Sequence, residues 1–165
     1  MTPLRIDPVA EARRHWEERW GPDPSRPMAA VTSIMRAQQV LLARLNEVVR
    51  PHGLTFARYE ALVLLTFSRA GSLPLGKMGE RLQVHPTSVT SIVDRLEAAG
   101  HVVRRRHPQD GRAVLAEITD SGRAVVEAAT ADLVNAKFAL AEVPVEDLRA
   151  LSALLKPVRE SAGDF

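Results

Sequence analysis

The chain has 165 residues, 45% of them hydrophobic and 25% charged, enough for one domain with a real core and too few for two comfortable ones. No window approaches eighteen consecutive apolar residues, and the opening MTPLRIDPVAEARRHWEERWG lacks the apolar centre of a signal peptide, so no membrane partner and a cytoplasmic location are expected. The absence of cysteine excludes disulfides, thiolate metal sites and cysteine-based peroxide sensing.

A net charge of +2 is too small to argue for any partner, but its distribution is uneven. Residues 1–27 balance to zero, 28–75 and 76–112 each carry +3, and 113–165 carry −4. Within HVVRRRHPQDGR (101–112), four arginines face Asp110 alone. Such a run is either a solvated face or an anion-binding surface, and its neighbours must decide between them.

In chain order, Pro8 follows Asp7 at a helix-start position, and Val9, Ala12, Trp16 and Trp20 give residues 8–20 an apolar stripe. Gly21-Pro22 stops that helix, and PDPSRP reads as a linker. From 28 to 49 the apolar positions follow a helical period, ended by Pro51 and Gly53. Thr55 caps a third helix over roughly 56–69, broken by Ala70-Gly71-Ser72. A short helix from Leu75 to Leu82 and a longer one from Pro86 to Ala99 are separated only by Gln83, Val84 and His85. Pro86 suits a first helical position, where its missing N–H has no acceptor. Gly100 ends the longer helix, and extended segments on either side of the turn HPQDG form a β-hairpin. Residues 120–141 read as one helix with Val126, Ala129, Leu133, Ala136 and Leu140 on a face; Pro144 opens a last helix bearing Leu148, Leu151, Leu154, Leu155 and Val158.

Two helices joined by a three-residue turn have helix-turn-helix geometry, whose second helix can enter a major groove. That helix carries Pro86, Thr87, Ser88, Thr90 and Ser91 opposite an apolar side of Val89, Ile92, Val93 and Leu96. Small hydroxyl residues approach base edges and phosphates without steric conflict. Any one of them is equally at home on a solvated helix. Five together beside a basic hairpin favour double-stranded DNA. His85, just before the helix, either helps the turn or meets a phosphate.

The stretch LGKMGERLQVHPTSVTSIVDRLEAAGHVVRRRHPQDGRAVLAEITDSG resembles the core of the MarR family, the multiple-antibiotic-resistance type of regulator. Its most specific pieces are SVTSIVDRLEAAG, the hairpin from Val103 through Asp110 to Arg112, and LAEITDSG, and the helix order extends the likeness over nearly 28–160. The resemblance implies a mostly α winged helix-turn-helix fold with a small β-hairpin wing. It further implies a homodimer whose two modules face one palindromic operator, and a transcriptional repressor released by a small-molecule effector. On that pattern 56–119 is the reading region, 28–55 with 120–165 the helical dimerisation region, and 1–27 an added helix and linker. Pro86, Thr87, Ser88, Thr90 and Ser91 fall on the recognition surface, Arg106 on the basic hairpin, and Arg112 on the wing that reaches the minor groove. Asp110 falls where a carboxylate holds the wing arginine, and Arg95 either near the phosphate backbone or in a structural ion pair. The chain departs from the family at Gly111, where members often have a second arginine, and at Gln83, where the turn often has glycine and a positive φ would strain any other residue.

For an effector, Trp16, Trp20, Phe56 and Tyr59 offer ring surface, and Arg36 or His52 could meet a carboxylate, so a small aromatic or phenolic anion is expected. The two tryptophans serve equally as dimer-interface anchors. The urate-responsive branch of the family pairs such a tryptophan with an acid and two arginines. Those positions here read Glu60, Ile92 and Arg104, which argues against urate. Five histidines (15, 52, 85, 101, 107) form no HExxH and no i, i+4 pair, so neither a metal nor a cofactor is expected. With no G-x-S-x-G, P-loop or dinucleotide glycine motif, an enzyme is not expected. The alternatives to a ligand-released repressor are a protein-binding winged helix and a constitutive DNA binder.

Overall fold

A computed structural model describes residues 4–110 and 113–164. The chain divides into two compact units, residues 1–44 and 45–165.

The first unit holds α1 (Pro8–Trp20) and most of α2 (Pro22–Val49). Asp7 caps α1 by accepting the Val9 N–H at 2.9 Å, and Gly21, at φ 86°, ends it. The PDPSRP segment is not the linker the sequence suggests but the first turns of α2. Pro22 and Pro24 occupy the turn whose N–H groups have no helical acceptor, so they cost the helix nothing there. Ser25 is fully buried; its hydroxyl donates to the Pro22 carbonyl at 2.8 Å and lies 3.2 Å from a Glu17 carboxylate oxygen. That contact pins the corner between the two helices. The Arg13 hydrogen bond to Glu17, aided by Ser25, holds that carboxyl below the usual range. Trp16 and Trp20 pack ring to ring at 4.6 Å, and the Arg19 guanidinium sits 5.3 Å from the Trp20 centroid.

The second unit begins with the end of α2, a 3-10 turn at Arg50–His52 and a left-handed Gly53. Thr55 caps α3 (Phe56–Thr66). This helix stops three residues short of the expected end because the Ser68 hydroxyl turns back to the Leu65 carbonyl at 2.7 Å. Next come β1 (Ser72–Pro74), α4 (Leu75–Leu82), α5 (Pro86–Ala98), β2 (Val102–Arg106) and β3 (Val114–Ile118). The sheet is antiparallel in the order β1-β3-β2, with Leu73 and Arg104 flanking Ala116 from its two sides. Strand β1 has no counterpart in the sequence reading: three residues are too few to show a period. Leu62, Leu65, Met78, Val89, Val93, Leu96 and Leu133 are fully buried between α3, α4, α5, the sheet and α6 (Asp120–Asn135), each contributing roughly 1.5–3 kcal/mol.

Thr119 caps α6, and Gly122 in its first turn lies against the His101 carbonyl, where a Cβ would collide with that oxygen. The helix expected to run from 120 to 141 ends at Asn135. Lys137, Phe138 and Ala139 follow with φ of 48°, 50° and 60°, a left-handed turn made without glycine. Helix α7 (Val145–Ser161) follows Pro144 as expected, and none of its residues is buried. Among the described residues no helix is long and apolar enough to cross a membrane.

Candidate nucleic-acid interface

Helices α4 and α5 pack closely because Gly79 faces Val89 and the Val84 carbonyl, which would stand 3.2 and 3.3 Å from a Cβ. Gln83 makes the turn in the left-handed region, φ 51° and ψ 42°, a conformation that costs a non-glycine residue about 1 kcal/mol or more. The strain foreseen at this position is therefore present. One backbone and one side-chain hydrogen bond offset it: the Val84 N–H donates to the Gly79 carbonyl at 3.1 Å, and the Gln83 side-chain amide donates to the Asp164 carboxylate. His85 then caps α5, its Nδ1 accepting the Thr87 N–H at 3.3 Å. Its role in the turn is thus structural at that nitrogen.

Val89, Val93 and Leu96 fix which side of α5 faces inward. Pro86, Thr87, Ser88, Thr90 and Ser91 are all exposed. Thr87, Ser91 and Arg95 follow one another at i, i+4 spacing, so a cation extends the hydroxyl row. The Thr90 hydroxyl donates to the Pro86 carbonyl at 3.1 Å, leaving it an acceptor toward solvent.

The basic run divides by role. Arg104 is clasped by Asp94 at 2.6 Å and by Glu97, both on α5, and its backbone N–H donates to Glu97 as well. Burial opposes its charge, but the hydrogen bonds and charges of the two carboxylates outweigh burial and raise its pKa. Arg104 therefore bolts the hairpin to α5. Arg105 reaches Glu117 at 3.4 Å. Arg95 and Arg106 are exposed and pair with no carboxylate among the described residues. That removes the structural ion pair as an account of Arg95. The hairpin turn is organised by His107, whose Nδ1 accepts the N–H groups of Gln109 and Asp110 at 3.2 and 3.1 Å. Arg112 and Gly111 lie outside the described residues, so the expected Asp110–Arg112 partnership does too. The Arg104 clamp escaped sequence reading, although the i, i+3 spacing of Asp94 and Glu97 ahead of an arginine-rich strand was its signal.

Within the second unit, a cleft of about 550 Å³ lies between α3, α6 and the left-handed turn, with Phe56, Tyr59, Phe67, Phe138, Glu60 and Thr130 on its walls. Phe56 and Tyr59 stack at 5.7 Å, and the Tyr59 hydroxyl is 3.0 Å from the Thr130 hydroxyl. Of the residues expected to meet an effector, Phe56 and Tyr59 line this cleft. His52 does not; its Nε2 is held by Asp132 at 2.7 Å. Trp16, Trp20 and Arg36 belong to the first unit, the tryptophans stacked on each other and Arg36 exposed. Among the described residues no His/Asp/Glu group has the arrangement of a metal site.

Comparison with known proteins gives the same answer as the geometry. The family model described as MarR family matches residues 57–114. Sco5413, a MarR family transcriptional regulator from Streptomyces coelicolor, is 58% identical in sequence; the match covers 85% of this chain and 97% of that one, with a TM-score of 0.81. The chain belongs to the MarR family. Among other MarR-like sequences, the organic hydroperoxide resistance transcriptional regulator of Bacillus subtilis (strain 168) is 29% identical over 133 residues, covering 81% of this chain and 84% of its own length. The fold is shared with S. coelicolor Sco3205, a MarR family regulator solved in complex with DNA, at 23% identity and a TM-score of 0.75, covering 82% of this chain and 90% of that one. This MarR-family chain is accordingly a transcriptional regulator with a winged-helix fold, in which α4 and α5 are the helix pair and β2–β3 the hairpin.

Proposed function

We propose that the protein is a homodimeric, sequence-specific DNA-binding repressor that a small aromatic ligand releases from its operator. One observation carries the DNA reading: the solvent side of α5 is a row of small hydroxyl residues continued by Arg95, with Arg106 on the adjoining hairpin, and among the described residues neither arginine has a carboxylate partner. The hydroxyl residues read base edges; the arginines bind phosphate. Asp110 orients the wing tip, and Arg112 enters the minor groove. Sco3205, which shares the fold, was solved in complex with DNA, and that supports DNA as the partner.

Dimerisation follows from apolar rows that nothing covers within either unit. On α7, Leu151, Leu154 and Val158 are 44, 74 and 59% exposed, and on α2, Val31, Ile34 and Met35 are exposed as well. A second copy of the chain is the occupant that suits them, since an operator read by two heads needs two-fold symmetry. Residues 56–119 then form the reading region, 28–55 and 120–165 the dimerisation region, and 1–27 an extension whose tryptophans anchor it.

The cleft supplies ring surface for the aromatic part of the expected effector and, among its lining residues, no basic group for an anionic part. A ligand acts by binding the DNA-incompetent spacing of the two heads better than the competent one; a hundredfold loss of affinity requires about 2.7 kcal/mol of such coupling. The B. subtilis relative is named for organic hydroperoxide resistance. This chain has no cysteine and so no thiol for a peroxide to oxidise, which removes cysteine oxidation as a trigger.

Selection of bound duplexes from a random pool tests the reading. Inverted repeats should emerge, with affinity falling linearly in the logarithm of salt concentration. Selection that yields no sequence preference defeats it.

A further inference from the structure

The geometry points to an aromatic cation, with its ring among Phe56, Tyr59 and Phe138 and its charged nitrogen against Glu60, as the ligand of the α3–α6 cleft. The inference rests on the ligand-released reading above and names the ligand's chemical class. The chain has four phenylalanines and one tyrosine; three of the former and the tyrosine line this cleft. Aromatic side chains this concentrated, with Phe67 83% and Phe138 40% exposed, make a receptor for a flat ring system, and 550 Å³ suits a molecule of drug size.

Charge selects the rest of the ligand. Glu60 is the one carboxylate among the residues lining this cleft, which include no Lys, Arg or His, and among the described residues no cation pairs with it. An adjoining pocket of about 280 Å³ shares Val63, Phe67 and Thr130 and adds a second carboxylate, Glu127, again without a basic residue. A carboxylate ligand would bring a like charge into an apolar cleft with nothing to neutralise it. A cation gains twice, from the carboxylate and from the faces of the surrounding rings. The Tyr59 hydroxyl is already engaged by Thr130, so Glu60 is left as the polar group that discriminates among ligands. Partial burial raises the Glu60 carboxyl above its usual range while the residue keeps solvent access, and a bound cation would supply the counter-charge it lacks.

Three probes of one shape isolate the charge: naphthylmethylamine, naphthylmethanol and naphthoate, titrated calorimetrically into the full-length protein and into Glu60→Gln. Operator affinity is measured alongside, both as a check that the variant is folded and as the readout of release. The amine should bind wild type at least about tenfold more tightly than the alcohol, with naphthoate weakest. In Glu60→Gln, the amine should fall to the level of the alcohol while the alcohol is unchanged. Preferential binding of naphthoate, an amine preference that survives Glu60→Gln, or no binding of any probe would each overturn the inference. Failure of the release reading is separate: Glu60-dependent amine binding that leaves operator affinity unchanged would sink release and leave the cation site standing. Release by naphthoate would do the reverse.

Discussion

Single residues in this fold hold conformations and contacts that their chemistry resists, and those are the places where a substitution gives a decisive sign. Ala139 has φ 60°, a geometry that costs a residue with a Cβ about 1–2 kcal/mol. Glycine elsewhere in a helical stretch destabilises by up to about 1 kcal/mol, yet Ala139→Gly should raise the urea midpoint. A lowered midpoint would show that the turn is not left-handed in solution. Gly122→Ala should cost about 1–3 kcal/mol by forcing the first turn of α6 away from the His101 carbonyl. Glu60 gives a pH signature. Burial raises its folded pKa, so between the unfolded and folded values the native state holds a proton that the unfolded chain has lost, and stability falls as pH rises through that window. Glu60→Gln should match wild type below about pH 4. It should become the more stable protein above the window, by no more than about 1 kcal/mol for so exposed a group. Chemical denaturation across pH checks it, and a constant difference at all pH values would contradict it.

At the scale of elements, the division of labour among the arginines makes a prediction that proximity to DNA alone would not. Arg95→Ala and Arg106→Ala remove cations that have no carboxylate partner among the described residues; each should weaken binding to all duplexes alike and shallow the salt slope by about one phosphate contact. Arg104→Ala should also weaken binding, but through loss of the clamp to Asp94 and Glu97. Its salt slope should stay near that of wild type while hydrogen exchange in β2 quickens. Thr87→Ala should change which operator variants are preferred. Fluorescence anisotropy over a salt series separates these outcomes. The elements themselves were largely legible in the sequence, because capping residues and apolar periods are local: Asp7, Thr55, Pro86 and Thr119 stand where the helices begin. What escaped was non-local or against propensity. PDPSRP looks like a breaker run, yet its first prolines sit where the helix needs no N–H. Strand β1 exists only because β3 offers an edge. The end of α6 is set by a left-handed turn that no glycine announces. In the candidate reading site, the exposed hydroxyl row followed from the helical period, whereas the separation of Arg104 from Arg106 required knowing which carboxylates α5 turns toward the hairpin.

For the whole molecule, the apolar rows of α7 and α2 are the feature that one chain cannot accommodate. Leu154 at 74% exposure and Val158 at 59% would each forfeit roughly 1–2 kcal/mol of burial in an isolated chain. A helix with no buried residue has little else to hold it in place. In a dimer the same rows supply the interface, and the interface in turn sets the distance between two recognition helices. Leu151→Glu with Leu154→Glu places like charges across that surface without touching the buried residues of α3, α4 and α5. The double variant should therefore sediment as a monomer at micromolar concentration, while α5 and the wing keep their fold. Linked heads bind the second half-site at an effective concentration that free heads lack, so full-operator affinity should fall by about two orders of magnitude or more. Binding to an isolated half-site should hardly change. That pairing of results distinguishes lost assembly from unfolding, since an unfolded head would lose both. A wild-type chain that sediments as a stable monomer at the same concentration would end the dimer reading and, with it, any release mechanism that depends on the spacing of two heads.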